Sequence, residues 1–451
     1  MIKKVLVANR AEIAVRIIRT CKKLGIKTVA IYSEADEKAP HVKSADEAYL
    51  IGPSRVSESY VKVEKILEIA KLSGVDAIHP GYGFLSENAA FADRCSHEGM
   101  IFIGPTSKVI EQMGDKIKAR KLMTEAGVPV IPGENTAISS LAEAMEIAEE
   151  LGFPVMLKAA AGGGGIGMQV VRSAEELQPA FESNSKRALT FFGDGSMFIE
   201  KKIDNARHIE IQLLADKHGN VIHLFERDCS VQRRNQKVIE EAPSTFITES
   251  TRNAMGEAAI MAAKAIGYTN AGTIEFLVDE SESFYFLEMN TRIQVEHPVT
   301  EEITGIDIVE QQIRIANGEK LDYKQEDFTI NGHAIEARIY AEDPNTFYPS
   351  PGHITTLVLP KGEHIRHELA IKNNYDVTPF YDPMIAKLIV TAVSRGDAIT
   401  LLKGALEEYK IEGIKTNIPL LLNIVNHDAF IKGATTTDFI EKHVKMKTKD
   451  K

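Results

Sequence analysis

Paired carboxylates are the first chemistry this chain offers. Gly272-Thr273-Ile274-Glu275-Phe276-Leu277-Val278-Asp279 reads as a strand, and Phe284-Tyr285-Phe286-Leu287-Glu288-Met289-Asn290 as its hairpin partner, with Glu280-Ser281-Glu282-Ser283 at the turn. If Asp279 pairs with Phe284, Glu275 lies directly opposite Glu288 on one face. Like charges so placed repel. A divalent cation relieves the repulsion, and an all-oxygen donor set suits Mg²⁺ or Mn²⁺. Asn290 shares the face of Glu288 by strand alternation. A solvated pair on an edge hairpin is the competing reading, but apolar Ile274, Phe276, Phe286 and Leu287 favour a buried hairpin and the metal. If the chain stays extended, Arg292, Gln294 and Glu296 continue that face up to Pro298. A cation, an amide and a carboxylate beside a metal pair could bind and activate a small oxyanion. A salt-bridged loop fits the same spacing.

Phosphate chemistry comes from Gly162-Gly163-Gly164-Gly165-Ile166-Gly167. Glycines allow consecutive N–H groups to point at phosphate oxygens, and Lys158 upstream adds a cation. No Gly-Lys-Ser or Gly-Lys-Thr occurs, so this is not a Walker loop, and a kinase lysine would follow its glycines. A flexible linker competes with a hairpin tip; apolar strands at Val155–Lys158 and Met168–Val171 favour the hairpin. His208, Glu210 and Gln212 alternate with Ile209, Ile211 and Leu213, as in an exposed strand or a site wall. Gln232-Arg233-Arg234-Asn235-Gln236-Lys237 is either a solvated loop or an anion-binding one. Glu336-Ala337-Arg338-Ile339-Tyr340 alternates too and by itself indicates nothing further.

Three regions must position these groups. The first hundred residues alternate strands (Val5–Ala8, Thr28–Tyr32, Val75–Ile78, Ile101–Ile103) with helices, the pattern of an open parallel sheet whose ligands lie beyond its carboxyl ends. Asn9-Arg10-Ala11-Glu12 follows the first strand, so a nicotinamide dinucleotide fingerprint is absent. Helices are expected over 116–126 and 140–151, then the strand–glycine loop–strand unit. A strand-rich third region from about Ile203 ends in helices near 396–408 and 417–426. The reading is α/β plus α+β: an open parallel-sheet domain over 1–115, a lid domain over 116–202, a mixed-sheet domain over 203–445 and a charged tail, 446–451. The 451 residues allow about three domains at ~150 residues each. With 44% hydrophobic and 26% charged residues the chain is neither disordered nor membrane-spanning. A formal charge of −11 argues against general nucleic-acid binding. Asn9 and Arg10 come too early for a secretory signal core. Cys21, Cys95 and Cys229 lack metal-site spacing, so the expected location is the cytoplasm.

Together these segments resemble the biotin carboxylase family of the ATP-grasp superfamily, over nearly the whole chain from Val7-Ala8-Asn9-Arg10 to Lys415-Thr416-Asn417. The resemblance rests on four motifs. They are His79-Pro80-Gly81-Tyr82-Gly83-Phe84-Leu85-Ser86-Glu87-Asn88, Lys158 with its glycines, Phe225-Glu226-Arg227-Asp228-Cys229-Ser230-Val231-Gln232-Arg233-Arg234, and the run Glu288 to Pro298. The resemblance implies ATP-dependent carboxylation of biotin by bicarbonate through carboxyphosphate. It implies that Lys116 and Lys158 bind ATP phosphates under a lid containing Gly163, Gly164 and Gly165. Glu200, Lys201 and Ile203 would lie near adenine, with His208 and Gln232 near ribose and Asn235 near the nucleotide. Lys237, Arg292, Gln294, Val295 and Glu296 would hold bicarbonate, Glu296 acting as base. Glu275, Glu288 and Asn290 would hold Mg²⁺ or Mn²⁺, with two ions expected. Tyr82 and Arg338 would serve biotin, Arg338 stabilising its enolate oxygen.

Three positions depart from the family pattern. Asn235 replaces the usual histidine, Ile166 a basic residue after the glycines, and Ala11 a glycine, read as a packing change. Lys445-Met446-Lys447 leaves no room for a biotinylated domain, so the expected partners are a separate carrier protein and a carboxyltransferase, with a homodimer as the family's common state. Two rivals remain: another acyl-phosphate-forming ATP-grasp ligase, and a nucleotide-sensing subunit without turnover.

Overall fold

The computed structural model describes residues 1–134, 136–160 and 167–444. Gly163, Gly164, Gly165 and Ile166, and the tail 446–451, lie outside the described residues. The N-terminal sheet is built from β1 (Lys4–Val7), β2 (Lys27–Ser33), β3 (Glu47–Gly52), β4 (Ala77–His79) and β5 (Ile101–Phe102), all parallel, in the order β3-β2-β1-β4-β5. Parallel neighbours need a crossover. Helix α1 (Ala11–Lys23) supplies the first and buries Ile13, Ile17, Ile18 and Cys21. Strand order reverses between β1 and β4, which opens a crevice at their carboxyl ends. Asn9 crosses that crevice: its Nδ2 donates to the carbonyls of Pro80 (2.7 Å) and Tyr82 (2.8 Å). Gly81 has φ +64°, and a Cβ there would lie 2.9 Å from Asn9 Nδ2. The Ala11 substitution is not a packing change. Ala11 has φ +59°, in the left-handed region, where a Cβ crowds the backbone.

The middle region begins with α2 (Lys116–Glu125), capped by Asp115 Oδ1, which accepts from the amides of Ile117 (3.1 Å) and Lys118 (3.0 Å). Helix α3 (Leu141–Leu151) is capped by Ser140 and ends at Gly152, φ +69°. Strands β6 (Val155–Ala159), β7 (Met168–Val171) and β8 (Met197–Lys201) form an antiparallel sheet with β6 in the centre. Helix α4 (Ala174–Phe192) packs Leu177 and Phe181 into a core with Val155, Leu157, Val171 and Ile199.

The third sheet has eight strands: β9 (Arg207–Ala215), β10 (Val221–Arg233), β11 (Gln236–Ala242), β12 (Asn270–Val278), β13 (Phe284–Asn290), β14 (His333–Tyr340), β15 (Ile365–Leu369) and β16 (Met384–Ala392). Their order is β13-β12-β9-β10-β11-β14-β16-β15. The mixed sheet expected here is antiparallel at every strand pair.

Two local expectations are corrected. Phe284 pairs with Val278, not Asp279, yet Glu275 does face Glu288, because a β-bulge at Leu287 restores the register. The chain does not stay extended to Pro298. Strand β13 ends at Asn290, and α5 (His297–Thr304) begins with Pro298 in its first turn. Arg292, Gln294 and Glu296 therefore reach the site through turns rather than by strand alternation.

Candidate active site

Glu275 is the centre of the carboxylate face. Its Oε1 accepts from Lys237 Nζ (2.9 Å), Asn290 Nδ2 (2.9 Å) and Gln294 Nε2 (2.7 Å), and its Oε2 lies 2.9 Å from His208 Nε2. Burial opposes its charge, but Lys237 and then His208 outweigh that and hold it well below the usual carboxylate range. Its partner Glu288 behaves in the opposite way. Burial, then the Glu275 charge, push it up, with Lys116 as the opposing cation. Opposed shifts of this kind arise where two carboxylates lie close enough for one charge to disfavour the other. Asn290 Oδ1 accepts from Arg292 at 2.7 Å. Glu275 and Glu288 on opposed strands, with the Asn290 amide oxygen, could supply oxygen donors of the kind a hard divalent cation takes.

A second cluster lies beside it. Lys237 Nζ touches Glu210 (2.6 Å), Glu275 and Glu296 (2.7 Å), so one ammonium faces three carboxylates. Glu296 continues to Arg338 at 3.1 Å, and Arg338 Nε donates to Glu240 at 2.6 Å. Burial works against ionisation of Glu296, but Lys237, Arg338 and Arg227 hold it below its ordinary range. Gln294 is oriented from behind by Arg227, which is fully buried and also reaches Glu210 (2.6 Å), Gln212 (2.7 Å), Thr300 (3.0 Å) and Thr273 (3.1 Å). Arg292 is held by Glu87 at 2.8 Å. The Val295 carbonyl accepts from Lys387 at 2.6 Å.

The nucleotide side is more scattered. Lys158 pairs with Glu200, which Arg120 also holds at 2.9 Å. Burial lowers Lys116, with Glu288 resisting. Lys201 turns its ammonium to the carbonyls of Leu151 (3.3 Å) and Gly152 (2.7 Å) at the end of α3, so only its backbone is left for a ligand. Ile203 is half-buried. His208 Nδ1 and Gln232 Nε2 lie 2.9 Å apart. Residues 232–237 are the end of a hairpin rather than one loop: Gln232 and Arg233 close β10, and Gln236 and Lys237 open β11. Arg234 (φ +51°) and Asn235 (φ +64°) are the two-residue turn of the β10–β11 hairpin, flanked by the pair Arg233 and Gln236. Asn235 is exposed at that tip. Tyr82 sits at the β1/β4 crevice with its hydroxyl on Glu12.

Sequence reasoning leaves Glu12, Glu87, Glu210, Arg227, Glu240 and Lys387 without roles. Glu210 belongs to the alternating run and Arg227 to one of the family motifs. Lys387 carries a signal, as a lone cation inside Met384-Ile385-Ala386-Lys387-Leu388-Ile389-Val390.

Comparison with known proteins agrees across the chain. Residues 1–110 match the biotin carboxylase N-terminal domain and 336–442 the biotin carboxylase C-terminal domain. Residues 115–324 match the ATP-binding domain of the carbamoyl-phosphate synthase L chain. A biotin carboxylase of Halalkalibacterium halodurans is 63% identical over 448 residues, 99% of both chains. The chain belongs to the biotin carboxylase family. Biotin carboxylase 2 of Bacillus subtilis is 62% identical over 444 residues, 98% of this chain and 100% of its own. A crystal structure of the biotin carboxylase domain of the Hydrogenobacter thermophilus 2-oxoglutarate carboxylase, a dimer in complex with MgADP, ADP and bicarbonate, superposes with a TM-score of 0.95 at 54% identity over 98% of each chain. The chain is thus an ATP-grasp ligase, and its reaction is the first half-reaction of a carboxylase, the ATP-dependent carboxylation of biotin. A non-catalytic sensing role has no support beyond Asn235 and Ile166.

Proposed function

We propose the following division of labour in that reaction. The observation that carries it is Glu296 held between Lys237 and Arg338. Bicarbonate binds among Lys237, Arg292, Gln294 and the Val295 backbone. As it enters, Lys237 and Arg338 turn part of their charge to the new anion. The Glu296 carboxylate, ionised in the free protein, then becomes the stronger base and accepts the bicarbonate proton. The bicarbonate oxygen attacks the γ-phosphorus, ADP leaves, and carboxyphosphate forms. It breaks to CO₂ and phosphate, phosphate takes the N1 proton of biotin, and N1 attacks CO₂. Arg338, charged throughout, faces the ureido oxygen of the enolate while Tyr82 packs the ring side. Lys116 and Lys158 face the phosphates. Glu200, Lys201, Ile203, His208, Gln232 and Asn235 line the adenosine side. Glu275, Glu288 and Asn290 hold Mg²⁺ or Mn²⁺, two ions in the working complex, which offset phosphate charge when bound.

The units are residues 1–115, 116–202 and 203–445, with 446–451 as a tail. Biotin arrives on a separate carrier protein, and a carboxyltransferase uses the product. A dimeric relative supports a chain that pairs with itself. No helix among the described residues is long and apolar enough to cross a membrane. The reaction is assigned to the cytoplasm.

The test is ADP release with Mg²⁺, ATP and bicarbonate, with and without biotin. A biotin-dependent rise is expected, reduced about 100-fold or more in Glu296→Ala and Arg338→Ala. Wild-type rates in either variant would sink the assignment.

A further inference from the structure

Lys387 stands in the middle of β16 with its side chain fully buried (0% exposed). A lysine taken out of water is strongly disfavoured unless it finds partners. Two groups meet it. Nζ donates to the Val295 carbonyl at 2.6 Å and lies 3.3 Å from Glu12 Oε1. The same Glu12 oxygen accepts the Tyr82 hydroxyl. Burial first, and the Glu12 charge next, hold Tyr82 well above its ordinary range, so it stays a proton donor.

The fold sets up this contact. Lys387 pairs with Arg338 of β14, so both side chains leave the sheet on one face. Glu12 is 1% exposed in the first turn of α1, where the helix end favours a negative charge. Two other carboxylates lie nearby. Glu368 is held by Arg19 (2.5 Å) and Arg366 (2.7 Å). Glu336 is fully buried, and burial pushes it well above its range against the pull of Lys387. The Val295 carbonyl also matters for a covalent reason. It shares one rigid peptide plane with the Glu296 amide, so holding that oxygen orients the backbone of the proposed base.

We infer that Lys387 is a positioning residue that ties the bicarbonate side of the site to the biotin side, through the Val295–Glu296 peptide on one hand and Glu12–Tyr82 on the other. It rests on the roles proposed above for Val295, Glu296 and Tyr82. The fold thereby couples two elements far apart in sequence, the β1/β4 crevice and the turn before α5.

The experiment is steady-state ADP release by Lys387→Met, with ATP, bicarbonate and biotin titrated separately. KM for bicarbonate and KM for biotin are each expected to rise fivefold or more, with KM for ATP within twofold. Both values within twofold of wild type, or all three rising together, would overturn the inference. Glu12→Gln covers the case in which Lys387→Met does not fold. It keeps an acceptor for Tyr82 but removes the charge facing Lys387. Its KM for bicarbonate is expected to rise threefold or more in biotin-free ADP release, where a purely local effect on Tyr82 has no influence. An unchanged value there overturns the coupling. Arg338→Ala separates the two levels: if it retains the biotin response, the site reading fails; if it is silent while Lys387→Met keeps wild-type KM values, only this inference fails.

Discussion

Lys237 shows how much one residue can hold together. Its ammonium is the shared cation of Glu210, Glu275 and Glu296, all buried. Removing one partner of a buried ion pair leaves an uncompensated charge and costs about 3–5 kcal/mol. Lys237→Met is therefore expected to lower the urea midpoint strongly as well as abolish turnover, and added Mg²⁺ should recover part of the lost stability by neutralising Glu275. Ala11 makes a smaller residue-scale point. At φ +59° its Cβ carries left-handed strain of about 1–2 kcal/mol, partly offset by the extra unfolded-state freedom of glycine. Ala11→Gly should stabilise by up to about 1 kcal/mol in urea unfolding; a lower midpoint would contradict that account.

At the scale of elements, a bulge and a turn decide what faces what. Without the bulge at Leu287, the pairing nearer the turn would put Leu287 opposite Glu275 and turn Glu288 away from it. The β10–β11 hairpin needs two successive residues at positive φ, which asparagine tolerates and β-branched residues do not. Asn235→Gly should leave stability within a few tenths of a kcal/mol, whereas Asn235→Val should cost about 1–2 kcal/mol. The hairpin sets the start of β11 and hence the aim of Lys237, so the valine variant should also lose activity.

At the scale of the molecule, one antiparallel sheet gathers charge from distant segments. Glu240 on β11 sits fully buried against Arg338. Burial raises it to about 7, with Arg338 opposing and Glu296 adding to the rise. The folded chain thus keeps this proton to about pH 7, while the unfolded chain releases it near an ordinary glutamate value. Folding takes up a proton in that window, so the contribution of Glu240 to stability falls as pH rises from about 5 to 7 and levels off above. Glu240→Gln should flatten that part of the curve, measured as urea midpoints at pH 5, 6, 7 and 8. An unaltered slope would show that Glu240 does not titrate there.

Much was legible in the chain itself, for physical reasons. Strand alternation is local, so the buried hairpin followed from spacing and apolar content, whereas Glu275 faces Glu288 only because the bulge at Leu287, which spacing does not show, shifts the register. The helix expected over 140–151 forms over Leu141–Leu151 with Ser140 and Gly152 at its ends, because helix ends are decided within a few residues. Motif order carried the family. Tertiary structure decided the rest, because it depends on partners hundreds of residues apart. Spacing could not place Arg227 behind Gln294, Glu87 on Arg292 or Glu240 on Arg338. Nor could it show that the turn before His297, rather than an extended strand, brings Glu296 to Lys237. A lysine in an apolar strand is a visible oddity in sequence. That Lys387 meets the Val295 carbonyl and Glu12 is known only once β16 pairs with β14 and α1 packs beside them, since the cost of burying a charge is met by groups that only the folded chain brings within reach.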